Sequence, residues 1–261
     1  MGNIDVFWNY IKQYFKSRLI YRMDFVNEIF SDLCMQAVSL IFILVVFQHT
    51  PAMAGWTKEE VIFIYGYFLV PFSIFQTFFN LWDFNERYII KGEMDRVLTR
   101  PLHNLAQIVL ERTQPESLFG IMTGMFIMGY AAVQLDLSFA WYDPLIFIVL
   151  VLGSVGIYAG VYVAIASIGF YSDSRTGIAP MIFNIQNYGR YPLDVYNKAI
   201  RFILTWILPF AYVGMYPSAY FLERKMWYVY TFATPFVGGF VFILGIAIWN
   251  FGVKQYRGAG S

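Results

Sequence analysis

Twelve residues, Lys91 to Leu102 (KGEMDRVLTRPL), form the densest charged segment of a chain that is 59% hydrophobic and only 13% charged. Their types suit ion pairing and docking rather than bond making. At helical spacing Lys91 and Asp95 make an i,i+4 pair, and Glu93 and Arg96 an i,i+3 pair. Ile90, Met94, Val97, Leu98 and Pro101 share one side, and those pairs lie on other faces. Gly92 and Pro101 punctuate the ends. An amphipathic helix of this kind fits a groove on a partner protein, and it also fits a helix lying on a membrane surface. In the docking reading, Met94, Val97 and Leu98 form the edge buried against the partner, ringed by Glu93, Arg96 and Arg100.

Other chemistry has thinner support. The sequence holds no GxxxxGK[ST] phosphate loop, no HExxH and no CxxC, so neither ATP binding of that type nor a metal site is expected of this chain. No catalytic residue is nominated. A lipid-modifying enzyme would need converging groups at one membrane face; Asp173, Asp194 and Tyr196 are the only candidates, with no histidine near them. An aromatic stripe, Phe68, Phe72, Phe75 and Phe79, shares one helical face. It reads either as packing or lipid contact, or as a wall for a greasy or cationic aromatic substrate.

The elements that would position these residues are membrane helices. Composition and a mean hydropathy of +0.54 over 261 residues place the chain among polytopic helical membrane proteins. The alternating segments of a β-barrel are absent. One domain, 1–257, is expected to hold six spans: 33–47, 61–82, 117–135, 145–171, 202–222 and 227–251. An amphipathic basic helix at 4–23 is expected to lie in the interface. The closing residues 258–261 read as a cloning remnant. Six spans put both termini on one side. Fifteen Lys and Arg fall on that side and three on the other, so the termini, the charged stretch and the Ser172–Lys198 loop are expected to be cytoplasmic. Pro209 and Pro217 interrupt the fifth span, whose outer part should be kinked or re-entrant. Gly120-x-x-x-Gly124 and Gly156-x-x-x-Gly160 predict close helix packing. Ionisable residues gather at span ends, which disfavours an ion-coupled transporter.

Two blocks carry a family resemblance. Lys91–Leu102 resembles the Gly-Glu-(Leu/Met)-Asp-x-x-Leu-x-(Arg/Lys)-Pro-Leu signature of ABC-2 permeases, formerly a family of uncharacterised function. Tyr191-Pro192-Leu193, Arg201-Phe202, Leu208-Pro209-Phe210-Ala211-Tyr212 and Tyr216-Pro217-Ser218 are similar to that family's approach to its fifth span. The resemblance implies the membrane subunit of an ATP-binding cassette exporter in a prokaryotic inner membrane. Such a chain pairs with a second permease chain, the same or homologous. ATP and Mg are bound by separate ATPase subunits, and no cofactor by the chain itself. Gly92, Glu93, Met94, Asp95, Arg96, Val97, Leu98, Arg100 and Pro101 would form the coupling helix that meets the ATPase. A small amphiphilic, drug-like or peptide substrate would pass along Phe68, Phe72, Phe75, Phe79, Pro209, Phe210 and Tyr212. Nucleic acid is not an expected partner.

Overall fold

The computed structural model describes residues 22–171 and 178–256. The expected interfacial helix at 4–23 lies almost wholly outside them, as does the closing tail. Among the described residues the chain is helical, without strands. Five helical stretches are long and apolar enough to cross a membrane: Met23–His49, Lys58–Phe79, Pro115–Gln134, Asp143–Tyr171 and Lys225–Val253. The first begins about ten residues before the expected 33–47, so its polar start, Asp24 to Asp32, is helical too.

Helix α2 (Lys58–Phe79) is the axis of the bundle. Thr57 starts it with a capping box. The Thr57 hydroxyl accepts from the Glu60 amide, and the Glu60 carboxylate accepts from the Thr57 amide at 2.8 Å. Most of its length is buried on all sides, as expected of a helix apolar around its whole circumference. Helix α1 (Arg22–His49) packs on it loosely and leaves Val38, Ile41 and Phe42 outward.

Small residues decide two other contacts. A Cβ added at Gly124 of α5 (Phe119–Gln134) would meet the Gly66 carbonyl of α2 at 2.7 Å. In α6 (Asp143–Ile168), Gly153, Gly156 and Gly160 lie directly on the backbone of α10 (Tyr228–Val253) around Pro235, Gly238 and Val241. The two small-residue patterns thus serve close packing.

A large buried core runs along the bundle and reaches one end at Trp56, Phe63, Phe221 and Trp227. At the other, Phe84, Met94, Val97, Ile108 and Phe170 close around Trp249. The connection from α2 to α5 folds over this Trp249 end. It runs through a π-helical turn (Asn85–Ile90), α3 (Glu93–Leu98) and α4 (Asn104–Glu111).

The path after α6 departs from the sequence reading. α6 ends at Ile168, and a 3-10 turn (Gly169–Tyr171) follows that places Phe170 beside Trp249. α7 (Ile178–Gln186) and a 3-10 turn (Asn187–Arg190) then carry the chain back toward the Trp56 end. By Asp194 it has arrived there, because the Asp194 carboxylate accepts from the Trp56 indole N–H at 3.0 Å. Arg201 pairs with the same carboxylate at 3.1 Å. The later part of the Ser172–Lys198 loop therefore sits at the opposite end from α3, not beside it as the charge count suggested.

Nor is 202–222 a single helix. It consists of the end of α8 (Lys198–Phe202), a π-turn (Ile203–Ile207), a 3-10 turn (Phe210–Val213) and α9 (Met215–Phe221). The first limb descends from the Trp56 end to Leu208 and Pro209, and the second returns to Arg224. Thr205 and Tyr216 join the limbs by a 3.0 Å bond between their hydroxyls. At the tip, Phe210 lies on Tyr158, and the Tyr212 carbonyl accepts from Ser154 at 2.8 Å. Proline explains the break at the tip but not a kink at Pro217, which occupies the first turn of α9, where an amide donor would have no intrahelical partner.

Candidate functional site

Two arrangements stand out, one at the Trp249 end and one halfway down the bundle.

At the Trp249 end, Gly92 adopts φ +72° as the N-cap of α3, a conformation that suits glycine. The following turn inserts Met94 and Val97 into the cluster around Trp249, both fully buried within the chain. This corrects the expected docking edge, because those two side chains are consumed internally. The outward face of α3 is Asp95, Arg96, Leu98 and Thr99.

The charges are also largely matched internally. Glu111 of α4 accepts from Arg96 Nη2 at 2.9 Å, Arg100 Nη1 at 3.2 Å, Tyr88 Oη at 3.2 Å and Gln107 Nε2 at 3.1 Å. Burial pushes its carboxyl up, but the bonds from Gln107, Arg96, Tyr88 and Arg100 outweigh that, leaving it below its ordinary range. Glu93 accepts from Arg87 Nε at 2.9 Å and lies 3.4 Å from Arg96. Lys91 pairs with Glu86 at 3.8 Å rather than with Asp95. Asn104 accepts from the Trp249 indole at 2.9 Å. The stretch is thus one bonded unit fixed to the ends of α6 and α10.

Halfway down the bundle, a cavity of about 250 Å³ opens between α1, α2 and the α7 limb. Asp32, Gln36 and Ser39 line it from α1, and Tyr65, Phe68 and Phe72 from α2. Arg190 reaches into it. Its Nη1 donates to Ser39 Oγ at 2.9 Å and its Nη2 donates to Asn187 Oδ1. The guanidinium carbon stands 5.2 Å from the centre of the Phe68 ring and 6.0 Å from that of Tyr65, within cation–π range. Sequence reading had assigned this residue to a polar loop. Only the nine residues of α7, with Pro180 in their first turn, precede the 3-10 turn, a run too short to announce a crossing. The combination Gly189-Arg190-Tyr191-Pro192 after Ile178–Ile185 was the available signal.

The seven expected path residues do not converge. Phe68 and Phe72 line the Arg190 cavity. Phe75 stacks on Tyr158 with ring centres 4.8 Å apart, and Phe79 turns to Phe242. Pro209 and Tyr212 face a separate apolar groove of about 640 Å³ between the hairpin, α6 and α10. Phe210 is fully buried. Of the thin enzymatic set, Asp194 is engaged by Trp56 and Arg201, and the Tyr196 hydroxyl donates to the Tyr188 carbonyl at 3.1 Å. Asp173 lies outside the described residues. No group of three or more His, Cys, Asp or Glu that could hold a metal occurs among the described residues.

Among the described residues, five long apolar helices, one of them the buried axis α2, define a multi-pass helical membrane protein. The chain belongs to the ABC-2 transporter membrane family, since the model described as ABC-2 family transporter protein matches residues 33–260. Members of that family are transport permeases, and they generally work with ABC ATPases in a lipid bilayer. Searches of curated proteins and of solved structures returned no match.

Proposed function

We propose that this chain is the permease subunit of an ABC exporter, performing no chemistry itself, pairing with a second permease chain and driven by separate ATPase subunits. The observation that carries this reading is the α3 unit. A segment that is polar outside and anchored inside by Met94 and Val97 to the ends of α6 and α10 is a stiff handle. Force applied at Asp95, Arg96, Leu98 or Thr99 would move helix ends rather than deform a loop. In this reading the Trp249 end is cytoplasmic. With Lys198 and Arg201 at the other end and Arg190 inside the bundle, the Lys and Arg count is twelve against five, which keeps its sign. The α7 limb supplies the sixth crossing, and 198–222 forms a re-entrant hairpin open to the far side.

The test is co-expression with candidate ATPase subunits, followed by capture of the tagged chain and an ATPase assay. An Asp95→Arg, Leu98→Glu double variant should lose ATPase co-purification while keeping its thermal stability, because neither side chain is buried. Wild-type levels of ATPase capture by that variant would overturn the docking assignment. An ion-coupled transporter is the second reading. Arg190 favours it, because an ionisable group does lie deep in the bundle. Transport that persists without any ATPase would select it.

A further inference from the structure

We infer that the Arg190 cavity is a binding site for the anionic head of a single amphiphilic molecule, whose apolar part lies along Phe68 and Phe72. The inference rests on the permease reading, because it names the substrate class that such a subunit would accept.

Depth is the first argument. Arg190 contacts Ser39, ten residues from the His49 end of α1, and the rings of Tyr65 and Phe68, seven and ten residues into α2. At 1.5 Å of rise per residue these contacts lie roughly 10–15 Å from the helix ends. That is near the middle of a hydrocarbon core of about 30 Å. A guanidinium there is costly unless something balances it.

Charge balance is the second. No carboxylate pairs with Arg190 among the described residues; its partners are a hydroxyl, an amide oxygen and two aromatic rings. Its Nε is buried and has no hydrogen-bond acceptor. Asp32 lines the same cavity, but it is seven residues from Ser39 along α1, roughly 10 Å. A charge at that range does not replace a contact. The side chain is therefore held in place by neutral groups, while its charge has no contacting counter-charge among the described residues.

Shape is the third. The cavity is polar where Ser39 and Asn187 meet Arg190, with Gln36 also in its lining, and apolar where Phe68 and Phe72 form its wall. An anion with a short apolar chain matches both parts. A phosphate or carboxylate head would supply the missing counter-charge and accept from the remaining Nη1 and Nη2 N–H groups.

The chain purified into phosphatidylcholine nanodiscs provides the test. Binding of decyl phosphate, decanol and decyltrimethylammonium is measured by tryptophan fluorescence, Trp82 lying against Phe183 at the cavity wall. Decyl phosphate should bind at least about tenfold tighter than decanol, the size expected of one charge-assisted contact, and the ammonium weakest. Arg190→Gln should erase the preference, and Arg190→Lys should keep much of it. Equal binding of the phosphate and the alcohol by the wild type would overturn the proposal without any variant, so a folding failure of Arg190→Gln cannot shelter it. A second arm uses nanodiscs containing phosphatidylglycerol and native mass spectrometry. Retention of phosphatidylglycerol by the wild type and not by Arg190→Gln identifies a bilayer lipid as the source. Decyl phosphate binding without lipid retention identifies a free amphiphile. Either outcome supports the anion site, and neither ligand binding overturns it. No ATPase is present in these measurements, so failure of the exporter reading leaves them unaffected, and their failure leaves ATPase capture intact.

Discussion

Glu60, in the first turn of α2, accepts from both Nε and Nη2 of Arg224, each at 2.8 Å, across 164 residues of sequence. The same guanidinium lies 4.7 Å from the Trp56 ring centre and donates to the Gly55 carbonyl. Trp56 in turn donates to Asp194, which pairs with Arg201. One chain of contacts therefore ties the start of α2, both ends of the hairpin and the end of the α7 limb together.

Arg224→Met should lower the stability of the purified chain by about 1–2 kcal/mol, the range for a hydrogen-bonded charge pair that is only partly exposed. Glu60→Gln should cost less, because the amide oxygen can still serve the Thr57 cap. Thermal unfolding of the two variants would reveal the order, and an Arg224→Met protein as stable as wild type would show that the pair is not a tie.

Glu111 gives a pH prediction. Its folded-state value is depressed below the ordinary 4.5, so the ionised form is the one that folding favours. The stabilisation is fully present above pH 4.5 and is lost as pH falls through the lower folded value. Glu111→Gln should therefore unfold at a lower temperature than wild type near neutral pH, and the two curves should converge on acidification below 4.5. A gap that stays constant down to pH 3 would assign the effect to shape rather than charge.

Two glycines on α10 and α6 should behave oppositely to a third. Gly160→Ala would drive a methyl group into the Val241 backbone, and Gly238→Ala would drive one into Gly153. Both should lower the melting temperature substantially, since backbone cannot step aside. Gly239→Ala meets nothing within 4 Å and should be neutral or slightly stabilising, by up to about 1 kcal/mol of helix propensity.

The contrast between these glycines and the hairpin shows what the sequence could express. Long apolar runs bounded by charge reveal helices, because a buried helix needs little besides length and hydropathy. Small residues four apart reveal contact, because close approach excludes larger ones. The stretch Lys91–Leu102 announced itself by charge, yet its stripe could not say which apolar edge turns inward. Met94 and Val97 pack inside while Leu98 does not, a choice made in large part by Phe170 and Trp249, distant in sequence. From Pro180 to Pro217 the pattern fails for a different reason. Proline and glycine divide that region into pieces too short for periodicity, and hydropathy alone does not distinguish a segment that traverses the bundle from one that enters and returns. Arg190 was hidden by the same ambiguity.

The reassigned path makes the sharpest prediction. In a Cys34→Ser background, single cysteines at Lys198, Lys225 and Thr99 report which side each occupies when intact cells are treated with a membrane-impermeant maleimide. Lys198 follows Asp194, which is bonded to Trp56, and Lys225 follows Arg224, which is bonded to Glu60, so those two belong to one end. Thr99 caps α3 at the Trp249 end. Cysteines at 198 and 225 should therefore label together, and the cysteine at 99 should label only after the membrane is permeabilised. Labelling of 198 in company with 99 and apart from 225 would restore 202–222 as a plain crossing, and would leave the Asp194–Trp56 bond without a geometry that permits it.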